Sequence, residues 1–343
     1  MRVLKLEKSL REAYSHFLSQ QPLGLIYHSP TYLDFVCDVL NARNETSVAV
    51  DSTGTVRGIL PLLARDGPWG LIYNSLPFFG SNGSILASDD TARQALMDWY
   101  NAIAIRADVA SCTLITNPLD RTPMTQVRHT CTDFRIGQLS PLKPSLANED
   151  ALWSTFHYKT RNMIRKAKKL GITVSIDNSR IDFLHKVHKK NLTSLGGTPK
   201  PEAFFRLLPK YFQEDQDFRI YVADFQGEMV AALLAFYFND VVEYFMPVIE
   251  EQFRDMQPMS LLVSRAMSDA ARLGRRWWNW GGTWPSQDGV YRFKSRWGTI
   301  DQNYYYYTQL NHPSIALCDK ATISSAYPYF YVLPFQLLRS SNA

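Results

Sequence analysis

Two stretches about half a chain apart carry one pattern, and that repetition limits the fold more than any other feature. "AVDSTGTVRGILPL" begins at Ala49 and "VADFQGEMVAALLA" at Val222. Asp51 aligns with Asp224, Gly54 with Gly227, and the apolar Leu60 and Leu62 with Leu233 and Ala235. Each stretch predicts a β-hairpin, a strand leading through Asp-x-x-Gly into a second apolar strand. The glycine supplies the positive φ that such a turn needs. The order of the elements after each hairpin also repeats. "GLIYNSLP" predicts a strand, "FFGSNGSILASDD" a loop, "TARQALMDWYNAIAIRA" a helix and "SCTLIT" a strand. In the second half the same places are taken by "DVVEYFMPVI", "EEQFRDMQP", "MSLLVSRAMSDAARLG" and "RRWWNWG". Asp89 or Asp90 caps the first of these helices and Gly274 ends the second. Helical sequence precedes each hairpin, in the second half as "ALWSTFHYKTRNMIRKAKKLG" and "PEAFFRLLPKYF".

Length agrees with duplication, because 343 residues exceed one typical core. The expected architecture is α/β with a mixed sheet, in two domains of one fold, 1–145 and 146–310. The boundary is placed in the polar, Pro-bearing "QLSPLKPSLANED" (Gln138–Asp150). Residues 311–343 have no counterpart in the first half. "AYPYFYVLPFQLL" is too apolar to stand in water, so this segment must pack against the rest of the protein. Four scattered cysteines without C-x-x-C give no disulfide framework or zinc site. The N-terminus lacks a signal-peptide h-region, and no run of about 18 apolar residues is present to span a membrane. A cytoplasmic protein is expected, with peripheral contact at the inner membrane face as a further expectation. The net charge of +5 is local, since Lys159–Lys169 carries six cations and no acid.

Specific residues sharpen the reading. "WSTFHYKTRNMIRKAKKLG" (Trp153–Gly171) resembles the segment that opens the second GNAT domain of FemAB-type proteins, where Lys or Arg is followed by "RN", "RKA" and a glycine. "NWGG" and "GVYRFKSRWG", within Asn279–Gly298, resemble the family's later glycine-bearing strand end and aromatic–Lys pair. "SLPFFGSNGSI" (Ser75–Ile85), with Gly80 and Gly83, resembles the first-domain loop of broader relatives. The resemblance implies tandem GNAT-like domains with a cleft between them, and a C-terminal segment, 311–343, that returns to pack on the first domain. It implies transfer of an aminoacyl or acyl group to an amine of a phosphorylated or lipid-linked precursor, in peptidoglycan or polysaccharide synthesis. The donor is either aminoacyl-tRNA or acyl-CoA, with no tightly bound cofactor. An acyl-CoA-dependent N-acetyltransferase of amino-sugar or exopolysaccharide synthesis is the alternative. A non-catalytic RNA- or membrane-surface-binding protein is the other.

Charge and ring spacing give the candidate site residues. On a helix, Arg161, Arg165 and Lys169 share a cationic stripe, and Met163, Ala167 and Leu170 an apolar face. Like charges at i, i+4 repel, so a nearby anion is a reasonable partner. Lys159, Arg161, Asn162 and Arg165 are therefore assigned to the acceptor. Asn191, Gly282, Tyr291, Arg292 and Phe293 are assigned with them, and "DGVYRFKSRWG" is read as a short helix after the last core strand. The donor loop is Arg254, Gln257 and Ser260. That loop lacks the glycines of an acyl-CoA signature, and Pro258 takes the first helical position. Without a nucleophile triad, direct attack by the amine is expected. Glu243 (or Asp240) is the candidate base, and Lys294 the group that stabilises developing negative charge. His185 and His188 have metal spacing but no third ligand, so no metal site is assigned.

Overall fold

The protein is described by a computed structural model covering residues 1–77 and 83–339. Contacts group it into two units, Met1–Arg135 with Asn303–Ala343, and Ile136–Gln302. The first unit begins with β1 (Arg2–Lys5), α1 (Arg11–Ser19), α2 (Pro30–Leu40), β2 (Arg43–Asn44), β3 (Ser47–Val50) and β4 (Val56–Leu60). It continues with β5 (Leu63–Arg65), β6 (Leu71–Asn74), β7 (Leu86–Ala87), α3 (Asp90–Ala104) and β8 (Val109–Ile115). β3 and β4 form the first expected hairpin, with Gly54 at φ +84°. Asp51 Oδ1 accepts from the Thr53 and Thr55 amides and closes the turn. β6 runs parallel to β8. α3 buries Ala92, Leu96, Met97 and Tyr100, at helical spacing, against the core. Its N-cap is Asp89, which accepts from the Ala92 amide at 2.8 Å.

Next comes β9 (Cys131–Pro141). Its later residues belong to the second unit, which holds α4 (Glu149–Ser154), α5 (Tyr158–Lys169), β10 (Thr173–Ile176), α6 (Ile181–Ser194) and α7 (Glu202–Tyr211). Beyond these lie β11 (Phe218–Phe225), β12 (Glu228–Phe238), β13 (Val241–Ile249), α8 (Pro258–Arg272), β14 (Trp277–Thr283) and α9 (Asp288–Ser295). β11 and β12 are the second expected hairpin, and Gly227 sits at φ +84°, matching Gly54. The strand order is β10-β11-β12-β13-β14 with β9 beside β14. The chain re-enters the first unit along β15 (Ile300–Leu310), antiparallel to β8, and adds α10 (Lys320–Ala326).

Two expectations are corrected. Gln138–Pro141, read as linker, is strand. Its polar side chains are buried because partners satisfy them: Ser140 Oγ donates to Trp297 O and accepts from Trp280 Nε1, both at 2.9 Å. The helical sequence Ala151–Gly171 forms two helices, broken at Thr155–His157. The buried face of α5 is Thr160, Ile164 and Ala167, sharing only Ala167 with the expected set, and Leu170 is exposed. The apolar tail is buried within the first unit. Asn74 Nδ2 donates to Tyr331 O and the Tyr331 amide donates to Asn74 Oδ1, each at 2.7 Å. Ser111 Oγ donates to Val332 O, and the Tyr327 hydroxyl to Gly70 O.

Candidate active site

The second unit splits open at one place. β13 and β14 are parallel partners over only three positions, Val241↔Trp277, Val242↔Trp278 and Glu243↔Asn279. β13 then runs on with β12 to Ile249, while β14 keeps pairing with β9. A cavity of about 750 Å³ lies along the unpaired part of β13. Phe245, Pro247, Val248 and Ile249 of β13, Val290 and Phe293 of α9, and Trp280 and Met259 give it apolar lining. Arg254, Gln257, Ser260, Lys294 and Tyr244 bring polar groups to it.

The start of α8 carries no anion of its own. A 3-10 turn (Glu251–Met256) leads to Gln257, which adopts φ +64° and serves as N-cap without a side-chain cap bond. Pro258 takes the first helical position, where a missing N–H costs nothing. No acid stands in the first turn, so the positive helix end meets the cavity uncompensated. Arg254 is exposed beside it, and among the described residues no carboxylate pairs with it. The first unit differs at the same point of its repeat. There the Asp89 carboxylate fills the start of α3 and pairs with Arg57 at 3.2 Å. That helix end carries its own anion.

Lys294 is 6% exposed, on α9. Its Nζ donates to Gly282 O at 3.1 Å and to Thr283 Oγ1 at 2.9 Å. Thr283 Oγ1 donates its own proton to Gln138 Oε1, and Gln138 Nε2 donates to Tyr291 O. This chain of bonds fixes α9 on β14 and β9. Burial without a carboxylate pushes the Lys294 ammonium down to about 8. A lysine ammonium has three donors, and two are used, so one remains for a ligand. Lys200, just before α7, is a second such group: its Nζ stands 5.2 Å from the Phe245 ring and 5.3 Å from Phe204, and burial lowers it to about 7.

The expected residues separate. Lys294, Phe293, Arg254, Gln257 and Ser260 line the cavity together. Gly282 reaches it through the bond to Lys294. Asn191 braces its wall, since its amide bonds both the N–H and the C=O of Ile249. Tyr291 donates to Asp301 at 2.6 Å, which raises the phenol above its ordinary range, and Arg292 is exposed. Neither lines the cavity. Glu243 is buried at the last paired position of β13 and is not a lining residue, and Asp240 accepts from Arg276 at the turn before it. The basic residues of α5 lie elsewhere. Arg161 turns inward and donates to Phe156 O at 2.6 Å and Trp153 O at 3.5 Å, securing the α4–α5 turn. Arg165 lies over the Trp153 ring, and Lys159 and Asn162 are exposed. His188 accepts from the Lys200 amide and His185 stacks on Phe205, so both serve packing. Gly80 lies outside the described residues; Gly83 is held so close to Ser75 that a side chain would not fit. Among the described residues no cluster of metal-ligating side chains occurs, and no helix is long and apolar enough to cross a membrane. Sequence reasoning missed Thr283 and Gln138, whose roles depend on a strand read as linker. It also missed Met259 and Val248, which look like ordinary core.

A sheet that parts between two parallel strands, with a helix start at the notch, is the GNAT arrangement. Residues 154–295 match the family model described as an acetyltransferase (GNAT) domain, so an acyltransferase-type GNAT domain occupies the second unit. The whole chain has a FemX-like tandem-GNAT fold. A crystal structure of FemX superposes with a TM-score of 0.69 at 15% identity, covering 91% of this chain and 98% of its own. L-PGS from Bacillus licheniformis superposes at 0.54 and 12% identity, covering 90% and 93%. A tandem GNAT protein from the clavulanic acid biosynthesis pathway gives 0.51 and 13%, covering 90% and 97%. No curated protein matches the chain in sequence.

Proposed function

We propose that the chain is an N-acyl or aminoacyl transferase that forms an amide on an amine of a phosphorylated cell-envelope precursor. The observation that carries this is the β13–β14 notch: it combines an uncapped helix start, Arg254 and a buried Lys294 in one cavity. An activated acyl donor needs its anionic carrier held and its carbonyl exposed to an amine. Arg254 and the start of α8 hold the carrier. Lys294 directs its third N–H to the oxyanion that forms as the amine attacks. The carbonyl of Gly282 and the Thr283 hydroxyl keep the ammonium oriented, which limits reorganisation during the reaction. The envelope precursor is supported by the FemAB-like segments Trp153–Gly171 and Asn279–Gly298 and by the FemX-like fold. A second reading, an acyl-CoA-dependent N-acetyltransferase of amino sugars, draws on the acetyltransferase family match over residues 154–295.

The test is a screen of acyl-CoAs and charged tRNAs against peptidoglycan precursors and amino-sugar nucleotides, with amide products detected by mass spectrometry. Product from at least one pair is expected. Lys294→Met should lower kcat/KM by about 10²–10³, the range found for losing one oxyanion donor. No product from any pair would overturn the reading.

A further inference from the structure

The lining of the cavity says what kind of group is transferred. Among the described residues no carboxylate lines it. Its charges are the cations Arg254 and Lys294. Glu243, at the last paired position of β13, and Glu250, engaged by Lys190 at 2.6 Å, both stay out of the lining. An aminoacyl group brings an α-ammonium. In this cavity that ammonium would be desolvated, unpaired and repelled by like charge. A neutral acyl chain meets none of these costs. It meets apolar surface from Phe245, Val248 and Ile249 of β13 and from Val290 and Phe293 of α9. A volume of about 750 Å³ is also far more than an acetyl group needs.

We infer that the cavity takes an uncharged apolar acyl chain longer than acetyl, delivered as a thioester on a phosphate-bearing carrier, rather than an aminoacyl group. This rests on the transferase reading above. In the step, the acceptor nitrogen forms a C–N bond to the acyl carbon and the C–S bond breaks. The electron pair leaves with sulfur, and the proton shed by nitrogen goes to the thiolate.

The test is direct binding by calorimetry of acetyl-, butyryl-, octanoyl- and palmitoyl-CoA, with octanoyl-CoA compared against 2-aminooctanoyl-CoA, which differs only by the ammonium. Affinity should rise with chain length, by up to about fourfold per buried methylene, before it levels off. The amino analogue should bind at least about tenfold more weakly than octanoyl-CoA. Val290→Trp, at a partly exposed lining position that tolerates change, should weaken the long chains while sparing acetyl-CoA; circular dichroism checks that it folds. Acetyl-CoA binding as tightly as octanoyl-CoA, or the amino analogue binding equally well, would overturn the inference. Amide formed only from aminoacyl-tRNA would overturn it while leaving the transferase standing. Tight octanoyl-CoA binding without product from any acceptor would overturn the transferase and leave the cavity's preference intact.

Discussion

Lys294 shows how one side chain joins stability to chemistry. Its folded pKa of about 8 lies below the unfolded value of about 10.4. Below pH 8 both states are protonated, and the cost of burying the ammonium is fully present. Between pH 8 and about 10.4 the unfolded chain binds more protons, so stability rises with pH, by up to about 3 kcal/mol. Urea unfolding at a series of pH values should show this rise in the native protein and its loss in Lys294→Met. Lys200 is lowered to about 7 and adds a rise that begins earlier and survives that substitution. Arg161 behaves differently. It bonds two backbone carbonyls at the α4–α5 turn and does not line the cavity. Arg161→Ala should cost about 1–3 kcal/mol of stability and leave the acceptor KM unchanged in folded enzyme. A raised KM at unchanged stability would return Arg161 to the binding site.

The two hairpins are the elements that were plainest in the sequence, because an Asp-x-x-Gly turn between alternating apolar runs has few other uses. Gly54 and Gly227 share φ +84°, and space around both is open, so an added methyl meets no atom. Gly54→Ala and Gly227→Ala should therefore each cost about 1–2 kcal/mol, from backbone strain alone. Unequal costs in thermal unfolding would show that the turns are not equivalent. α9 was also legible, since Phe293 and Trp297 at i, i+4 mark its core side and place Lys294 next to them. β9 was not. Gln138 and Ser140 look like linker until Thr283, Trp280 and Trp297 are seen to satisfy them. The break at Thr155–His157 contains neither Pro nor Gly; the His157 amide docks on Arg296 O, its ring caps α5 by accepting from the Lys159 amide, and Arg161 holds the turn. For the site, the cationic loop and Lys294 announced themselves by charge. The apolar walls did not, because a Val that lines a cavity and a Val in a core look alike in sequence.

At the scale of the molecule, the tail and the duplication set what each unit can do. The first unit depends on residues from the far end of the chain, held by the paired bonds between Asn74 and the Tyr331 backbone. Asn74→Ala leaves a buried amide and a buried carbonyl without partners, which should cost about 2–4 kcal/mol in denaturant unfolding. A smaller loss would mean that the tail is held mainly by its apolar side chains. The duplicated units have also parted company at one atom group, the carboxylate of Asp89, which closes the first unit's helix start while the second stays open. The cavity's Trp280 has an optical consequence. Its indole forms part of the wall, donates to Ser140 Oγ, and sits 5.9 Å from Trp278 and 5.6 Å from Trp297. Excitation absorbed by any of the three is shared within this cluster. A group entering the cavity touches one member and alters the emission of all, so the protein carries a built-in fluorophore for its own ligand.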